Sequence, residues 1–190
     1  MNESTHQGGK AVMITPTDLK VLPVFDTFTS SQLKAVGDRG ELQELSPEET
    51  VFRQNDPAGM LYGLLEGQVE LTFVYKDKLL ETDIEYEESV ISRYKEYERP
   101  VVLEVLLKGE LFGWSSMAGN QKYTATAVTV QPSRLFAIRA AALRTVLEDN
   151  PGLGYVFMDH LSRVIAKRLH WRTERLVESW VEAFGTDRVG

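Results

Sequence analysis

Between Leu153 and Phe184 the chain reads as a single helix of about 32 residues, hence about 48 Å long at the helical rise. A small domain is narrower than that, so part of this helix must find a surface beyond the domain that carries it. Met158, Ile165 and Arg172 repeat by seven, as do Leu169, Leu176 and Ala183. Together the two lines form a coiled-coil seam, and a parallel homodimer through residues 153–184 is the expected arrangement. The alternative is that the helix folds back on its own domain.

Upstream the pattern changes. Residues 1–18, with Gly8-Gly9 and Pro16, read as a flexible tail. Ser30 is a good N-cap for a short amphipathic helix near 31–37. From Gly40 to about Ala140 short β segments alternate with turn residues. Thr50-Val51-Phe52 ends at Gln54-Asn55-Asp56-Pro57, and Leu61–Leu65 ends at Glu66-Gly67. Val69, Leu71, Phe73 and Tyr75 alternate with polar residues, and Val101, Leu103 and Val105 do the same, the period of half-buried strands. Tyr123–Val130 and Leu135–Ile138 complete the set. Many short strands at this spacing predict a mainly β sandwich, barrel or jelly roll. The stretch 77–98 breaks the pattern: it is rich in Glu and Tyr, and Tyr86, Val90, Ile91, Tyr94 and Tyr97 recur at helical spacing. It reads as an insertion in a β-hairpin, with a short helix as one form and either a solvated excursion or a partner-docking surface as its role. Three parts result: the tail 1–18, a β domain with flanking helices over 19–151, and the long helix with a frayed end over 152–190.

Composition narrows the function. The 190 residues carry a net charge of −7, with a pI near 5.1. A binder of phosphate backbones needs clustered Lys and Arg, so nucleic acid is not the expected partner. There are no cysteines, which removes disulfides, thiol chemistry and Cys-ligated metals. No apolar run reaches membrane-spanning length, and the polar N-terminus is not a signal peptide. The expectation is a cytoplasmic protein without a membrane partner.

Several stretches, in their order, resemble the cyclic nucleotide-binding domain superfamily, the sensor half of Crp/Fnr-type regulators. They are Leu22-Pro23-Val24-Phe25, Val51–Asp56 through Gly67-Gln68-Val69, Gly109-Glu110-Leu111-Phe112-Gly113, Tyr123-Thr124-Ala125-Thr126-Ala127, and Lys167-Arg168-Leu169 on the long helix. The resemblance implies a jelly-roll β-roll with short flanking helices and a long C-terminal dimerisation helix. It also implies a phosphate-binding cassette in which a short helix offers backbone N–H groups to a cyclic phosphate. In that family an Arg pairs with the phosphate, and a Glu binds the ribose.

This chain departs from that pattern at both charged positions. Trp114 follows Gly113 where the Glu is expected, and Tyr123 precedes Thr124-Ala125 where the Arg is expected. Lys122 is one position early, on the opposite strand face. A charge-assisted phosphate contact is worth roughly 1.5–3 kcal/mol, so its loss weakens binding by about 10- to 150-fold. Ordinary cAMP or cGMP binding is therefore not expected. The candidate ligand site is Gly109, Glu110, Phe112, Gly113, Trp114, Ser115, Ser116, Lys122, Tyr123 and Thr124, with Arg168, Arg172 and Thr173 from the long helix. Arg172 within an apolar seam calls for an anionic partner. Alternatively Trp114 and Tyr123 fill the cavity and nothing binds.

Catalysis is not expected, and neither is a cofactor beyond a small anionic or nucleotide-like ligand. His6 lies in the tail; His160 and His170 are about 15 Å apart along one helix, too far to share a metal. No P-loop or Gly-x-Ser-x-Gly elbow is present, and about twenty residues after Leu169 leave no room for a helix-turn-helix domain. The expectation is a standalone, non-catalytic sensor that binds a small anion in the cassette and signals through its dimer helix. The alternative is a ligand-free module that holds a partner protein.

Overall fold

The computed structural model describes residues 14–86, 89–119 and 122–185, and within the long hairpin the side chains of 78–95 are not included. Order begins earlier than expected: Pro16–Leu19 forms a short helix, α1, inside the stretch read as a tail. Thr15 and Asp18 close a capping box there, and burial of Leu19 ties the turn to the core. Residues 1–13 of the tail lie outside the described residues. The second helix, α2 (Ser30–Gly37), is capped by Thr29 with Gln32 reaching back, one residue before the predicted cap. Both residue types suit the position, but only Thr29 has a Gln three residues on to complete the box.

The strands are β1 (Gly40–Leu45), β2 (Thr50–Phe52), β3 (Met60–Glu66), β4 (Val69–Tyr86), β5 (Ser89–Leu106), β6 (Leu111–Phe112), β7 (Thr126–Thr129) and β8 (Ser133–Arg139). Two helices follow, α3 (Ala140–Glu148) and α4 (Pro151–Phe184). The strands make two antiparallel four-stranded sheets, ordered β1-β8-β3-β6 and β2-β7-β4-β5. This is the expected mainly β jelly roll with flanking helices.

Two apolar cores explain the layering. Between the sheets lie Phe52, Tyr62, Leu64, Val69, Leu71, Leu106, Phe112, Tyr123, Leu135 and Ala137. On the outer face of the first sheet, Leu61, Leu65, Phe136 and Ile138 meet Phe25, Leu33, Leu143, Phe157 and Leu161 from the helices. β3 and β8 are covered on both faces, which is why they read as unbroken apolar runs rather than alternations. A Cβ at Gly63 would run into the buried Leu22 side chain, so the glycine lets the entering chain pack closely on β3.

The segment 77–98 is not a helix. β4 and β5 pair from Val69 opposite Leu106 to Tyr86 opposite Ser89, with register shifts at Leu71/Thr72 and at Ile84/Tyr86. Ile84 stands opposite Val90 and Leu80 opposite Tyr94 in the register. Residue types of this kind suit a strand as well as a helix, and their three-to-four spacing is incidental. Closer to the roll, Arg99 pairs with Asp77 and Lys76 with Glu96 across the ribbon.

One bulge reverses another expectation. Leu71 faces Glu104 while Thr72 faces Val102, leaving Leu103 as an extra residue on β5. An added residue shifts the side-chain alternation by one. Val105 faces solvent, and the Glu104 side chain, on the same strand face as buried Leu106, points inward with only 14% exposure.

α4 divides into two halves. Leu153, Phe157, Leu161 and Arg168 are buried, and Ile165 packs beside them, a stripe of helical period lying on the roll. From Thr173 to Phe184 every residue is exposed, a free length of about 18 Å. Of the expected seam, Ile165 packs on the core and Arg172 faces Glu104, whereas Met158, Leu169 and Leu176 are exposed. The roll covers one flank of the helix, so the two heptad lines do not form a single seam. Among the described residues, no helix is long and apolar enough to cross a membrane.

Candidate functional site

The cassette opens on a left-handed turn that favours glycine. After β6, Gly113 takes φ 70°, and a Cβ there would stand 3.0 Å from the Met60 carbonyl oxygen and from the Tyr62 ring. A 3₁₀ turn follows over Trp114–Ser116. The Ser116 hydroxyl donates to the Gly113 carbonyl at 2.9 Å. Arg144 of α3 donates to the carbonyls of Ser116 and Met117 at 3.0 and 3.2 Å. Nothing in the local sequence pointed to Arg144, because its target lies 27 and 28 residues away.

Tyr123 is a core residue. Its ring stacks on Phe52 at 3.8 Å with 15° between planes. Its hydroxyl donates to the Met60 carbonyl at 2.9 Å and accepts from the Met60 N–H at 3.1 Å. Burial is the main reason its pKa is raised, opposed by the hydrogen bond to Met60. Tyr62 beside it is also pushed up, by burial first and then by Tyr123. The position that holds an arginine in the resembled family is thus filled by a neutral ring in the barrel wall.

What remains is a cavity of about 20 Å³, lined by Phe52, Leu71, Gly113, Trp114, Ser115, Tyr123, Thr124, Ala125, Arg168 and Arg172. Seven of the thirteen residues singled out from the sequence meet here: Gly113, Trp114, Ser115, Tyr123, Thr124, Arg168 and Arg172. The others are elsewhere. Phe112 is wholly buried between the sheets, and Lys122 is exposed beside Pro57. Gly109, at φ 92°, and Glu110 shape the preceding turn, where Glu110 accepts from the Leu107 N–H at 2.8 Å. Ser116 is turned toward Gly113. Thr173 is exposed, and its hydroxyl donates to the Leu169 carbonyl within the helix.

The cavity wall holds a charge cluster that the sequence did not reveal. Arg168 is 5% exposed, and its Nε lies 3.3 Å from Glu104 Oε1. Arg172 reaches the other carboxylate oxygen at 4.0 Å. Burial, the largest influence on Arg168, lowers its pKa; Glu104 and Glu110 act against this, and Arg172 adds to it. Glu104 was hidden because the Val101-Leu103-Val105 alternation assigned it outward; the Leu103 bulge breaks that alternation, and Glu104 shares the inward face with Leu106. Among the described residues, the buried side-chain nitrogens and oxygens lacking a hydrogen-bond partner are Glu104 Oε2, Arg168 Nη2 and Arg172 Nε. All three belong to this cluster. No group of three or more His, Asp or Glu side chains suited to a metal ion occurs among the described residues.

Comparison with known proteins agrees with the fold. A family model described as cyclic nucleotide-binding domain matches residues 88–150. A Geobacter metallireducens GS-15 protein described as cyclic nucleotide-binding is similar at 29% identity and TM-score 0.62, covering 83% of this chain and 100% of its own. The sensor domain of the transcriptional regulator DNR from Pseudomonas aeruginosa is similar at 26% identity and TM-score 0.58, covering 81% and 90%. A cyclic nucleotide-binding domain from Methylobacillus flagellatus KT has the same fold at 14% identity and TM-score 0.65, covering 86% and 84%. Among curated proteins none matches the chain. Fold, order of elements and matched segment agree: the chain has the fold of cyclic nucleotide-binding domains, matches that domain's family model over residues 88–150, and resembles the sensor domain of a transcriptional regulator.

Proposed function

We propose that this domain is a non-catalytic regulatory module that reads a small anion at the junction of cassette and α4 and signals through an α4-paired homodimer in the cytoplasm. One observation carries the reading: Arg168, a residue of the output helix, is buried in the cassette wall on Glu104. Any change of charge in the cassette therefore acts directly on the helix. Ordinary cyclic nucleotides are poor candidates, since Tyr123 stands in the phosphate-arginine position with its hydroxyl committed to Met60. A cavity of about 20 Å³ has room for about one water molecule, so a ligand must favour an arrangement in which α4 has moved. That preference is what makes it a signal. The apolar flank of Leu176, Val177, Trp180, Val181 and Phe184 is the surface on which a second copy would pack.

The test is a thermal-shift and tryptophan-fluorescence titration against cAMP, cGMP, cyclic dinucleotides and linear nucleotides. Ligand binding to the folded state raises Tm, and Trp114 lines the cavity. A saturable response to a linear phosphate, absent for cAMP and lost in Arg172→Gln, is expected. A flat response across the panel refutes sensing. It favours the second reading, a ligand-free module holding a partner protein, which the closed cavity and the exposed α4 flank support.

A further inference from the structure

Building on that reading, we infer that Glu104 is an internal counter-ion occupying an oxyanion seat between Arg168 and Arg172, and that the ligand is a phosphate monoester, which displaces it. The three buried polar atoms without partners converge on this one cluster, and buried polar atoms in native structures are otherwise nearly always paired. Two guanidinium groups with N–H donors left over form a fork suited to a tetrahedral or planar oxyanion. One carboxylate spans them incompletely, at 3.3 Å from Arg168 and 4.0 Å from Arg172. Glu110, the other carboxylate acting on Arg168, is held by the Leu107 N–H on its own turn.

The charge count selects the ligand class. A cyclic phosphodiester carries a single negative charge, as Glu104 does, and gains nothing electrostatically by replacing it. A monoester carries roughly 1.5–2 negative charges near neutral pH and competes successfully for two guanidinium groups. Glu104 has a route out: β5 is the edge strand of its sheet, and the side chain already reaches solvent. Once it leaves, Arg168 follows the new anion and α4 moves with it.

The experiment is calorimetric titration of the full chain with inorganic phosphate and with adenosine 5′-monophosphate, cAMP serving as the diester control, at constant ionic strength. Glu104→Gln removes the internal charge while keeping the side-chain shape. It is expected to tighten phosphate and monoester binding about 10-fold or more, with no comparable gain for cAMP, and Arg172→Gln is expected to abolish binding in either background. If Glu104→Gln is folded by near-UV circular dichroism and binds no tighter than the parent chain, the inference is wrong, and the cluster is an ion pair bridged by water. A parent chain that responds to the nucleotide panel, with affinity unchanged in Glu104→Gln, leaves the sensor reading standing and overturns the seat. A silent parent chain with a binding Glu104→Gln variant supports the seat and removes sensing under ordinary conditions. Should Glu104→Gln fail to fold, Arg172→Gln decides alone: it is one-third exposed and must weaken phosphate and monoester binding at least tenfold. In that case, unchanged binding in Arg172→Gln, or no uptake of either probe by the parent chain at millimolar concentration, overturns the inference; where Glu104→Gln folds, a failure of both it and the parent chain to bind does so.

Discussion

Replacing Glu104 by Ala tests whether the buried charge cluster holds the helix to the roll. The Arg168 and Glu104 side chains are 6% and 14% exposed and 3.3 Å apart. At an effective dielectric near 20, a pair at that separation attracts by about 5 kcal/mol before desolvation is subtracted. Removing one member leaves the other charge buried and unpaired, which costs about 3–5 kcal/mol. Arg172 adds little, because at 4.0 Å and one-third exposed it is screened by solvent. For a chain of this size each kcal/mol moves Tm by about 2–4 °C, so Glu104→Ala lowers Tm by roughly 10 °C. Replacing both partners, Glu104→Leu with Arg168→Met, removes the desolvation problem and returns stability to within about 1 kcal/mol of the parent or above it. The assay is urea unfolding followed by circular dichroism on the parent, Glu104→Ala, the single variants Glu104→Leu and Arg168→Met, and the double variant, all at one protein concentration. A coupling energy of about 2 kcal/mol or more is expected. If Glu104→Ala costs under about 1 kcal/mol, or the two single effects simply add, the pair does not anchor α4 and the route from cassette to helix proposed above fails.

Other predictions concern separate parts of the molecule. Tyr62 and Tyr123 both have raised folded-state pKa values, so their contribution is intact below pH about 10 and lost as pH rises above it. In a spectrophotometric titration, two of the seven tyrosines should ionise only together with unfolding, and Tyr62→Phe should ease the alkaline loss of stability. Asp18 is lowered, the Thr15 hydrogen bonds and Arg134 outweighing the effect of burial. Asp18→Asn should then cost about 0.5–1 kcal/mol at pH 7, and the cost should shrink as pH falls below the ordinary carboxylate range; a loss that does not change with pH would contradict this. Gly113→Ala, at φ 70° and in contact with Met60 and Tyr62, should cost about 1–3 kcal/mol in a urea melt. Leu176→Glu with Trp180→Glu should convert a dimer to a monomer by light scattering without lowering helicity in the roll-bound half, and a monomeric parent chain would remove the dimer from the proposal.

Much of the architecture was legible because burial leaves periodic marks. β3 and β8 showed as apolar runs, and the Gly109–Gly113 and Tyr123–Ala127 stretches located the cassette. The hairpin was misread because Tyr86, Val90, Ile91, Tyr94 and Tyr97 suit a helix by spacing as well as a ribbon by side-chain type. The Arg168 position was legible, but its partner was not. Glu104 and Arg168 are 64 residues apart in the chain, and the extra residue at Leu103 breaks the alternation that assigned the carboxylate outward. Alternation assumes an unbroken ladder, and a bulge breaks it without any signature in composition.

The division of α4 into a seated half and an exposed half gives it the mechanics of a lever. Its last burial point is Arg168, and Phe184 lies about 24 Å further along the axis. A tilt of only about 10° at Arg168 carries Phe184 sideways by about 4 Å, several times the roughly 0.5–1 Å surface gap that an apolar contact tolerates. Small angular play at the fulcrum is thus enough to make or break whatever grips the tip.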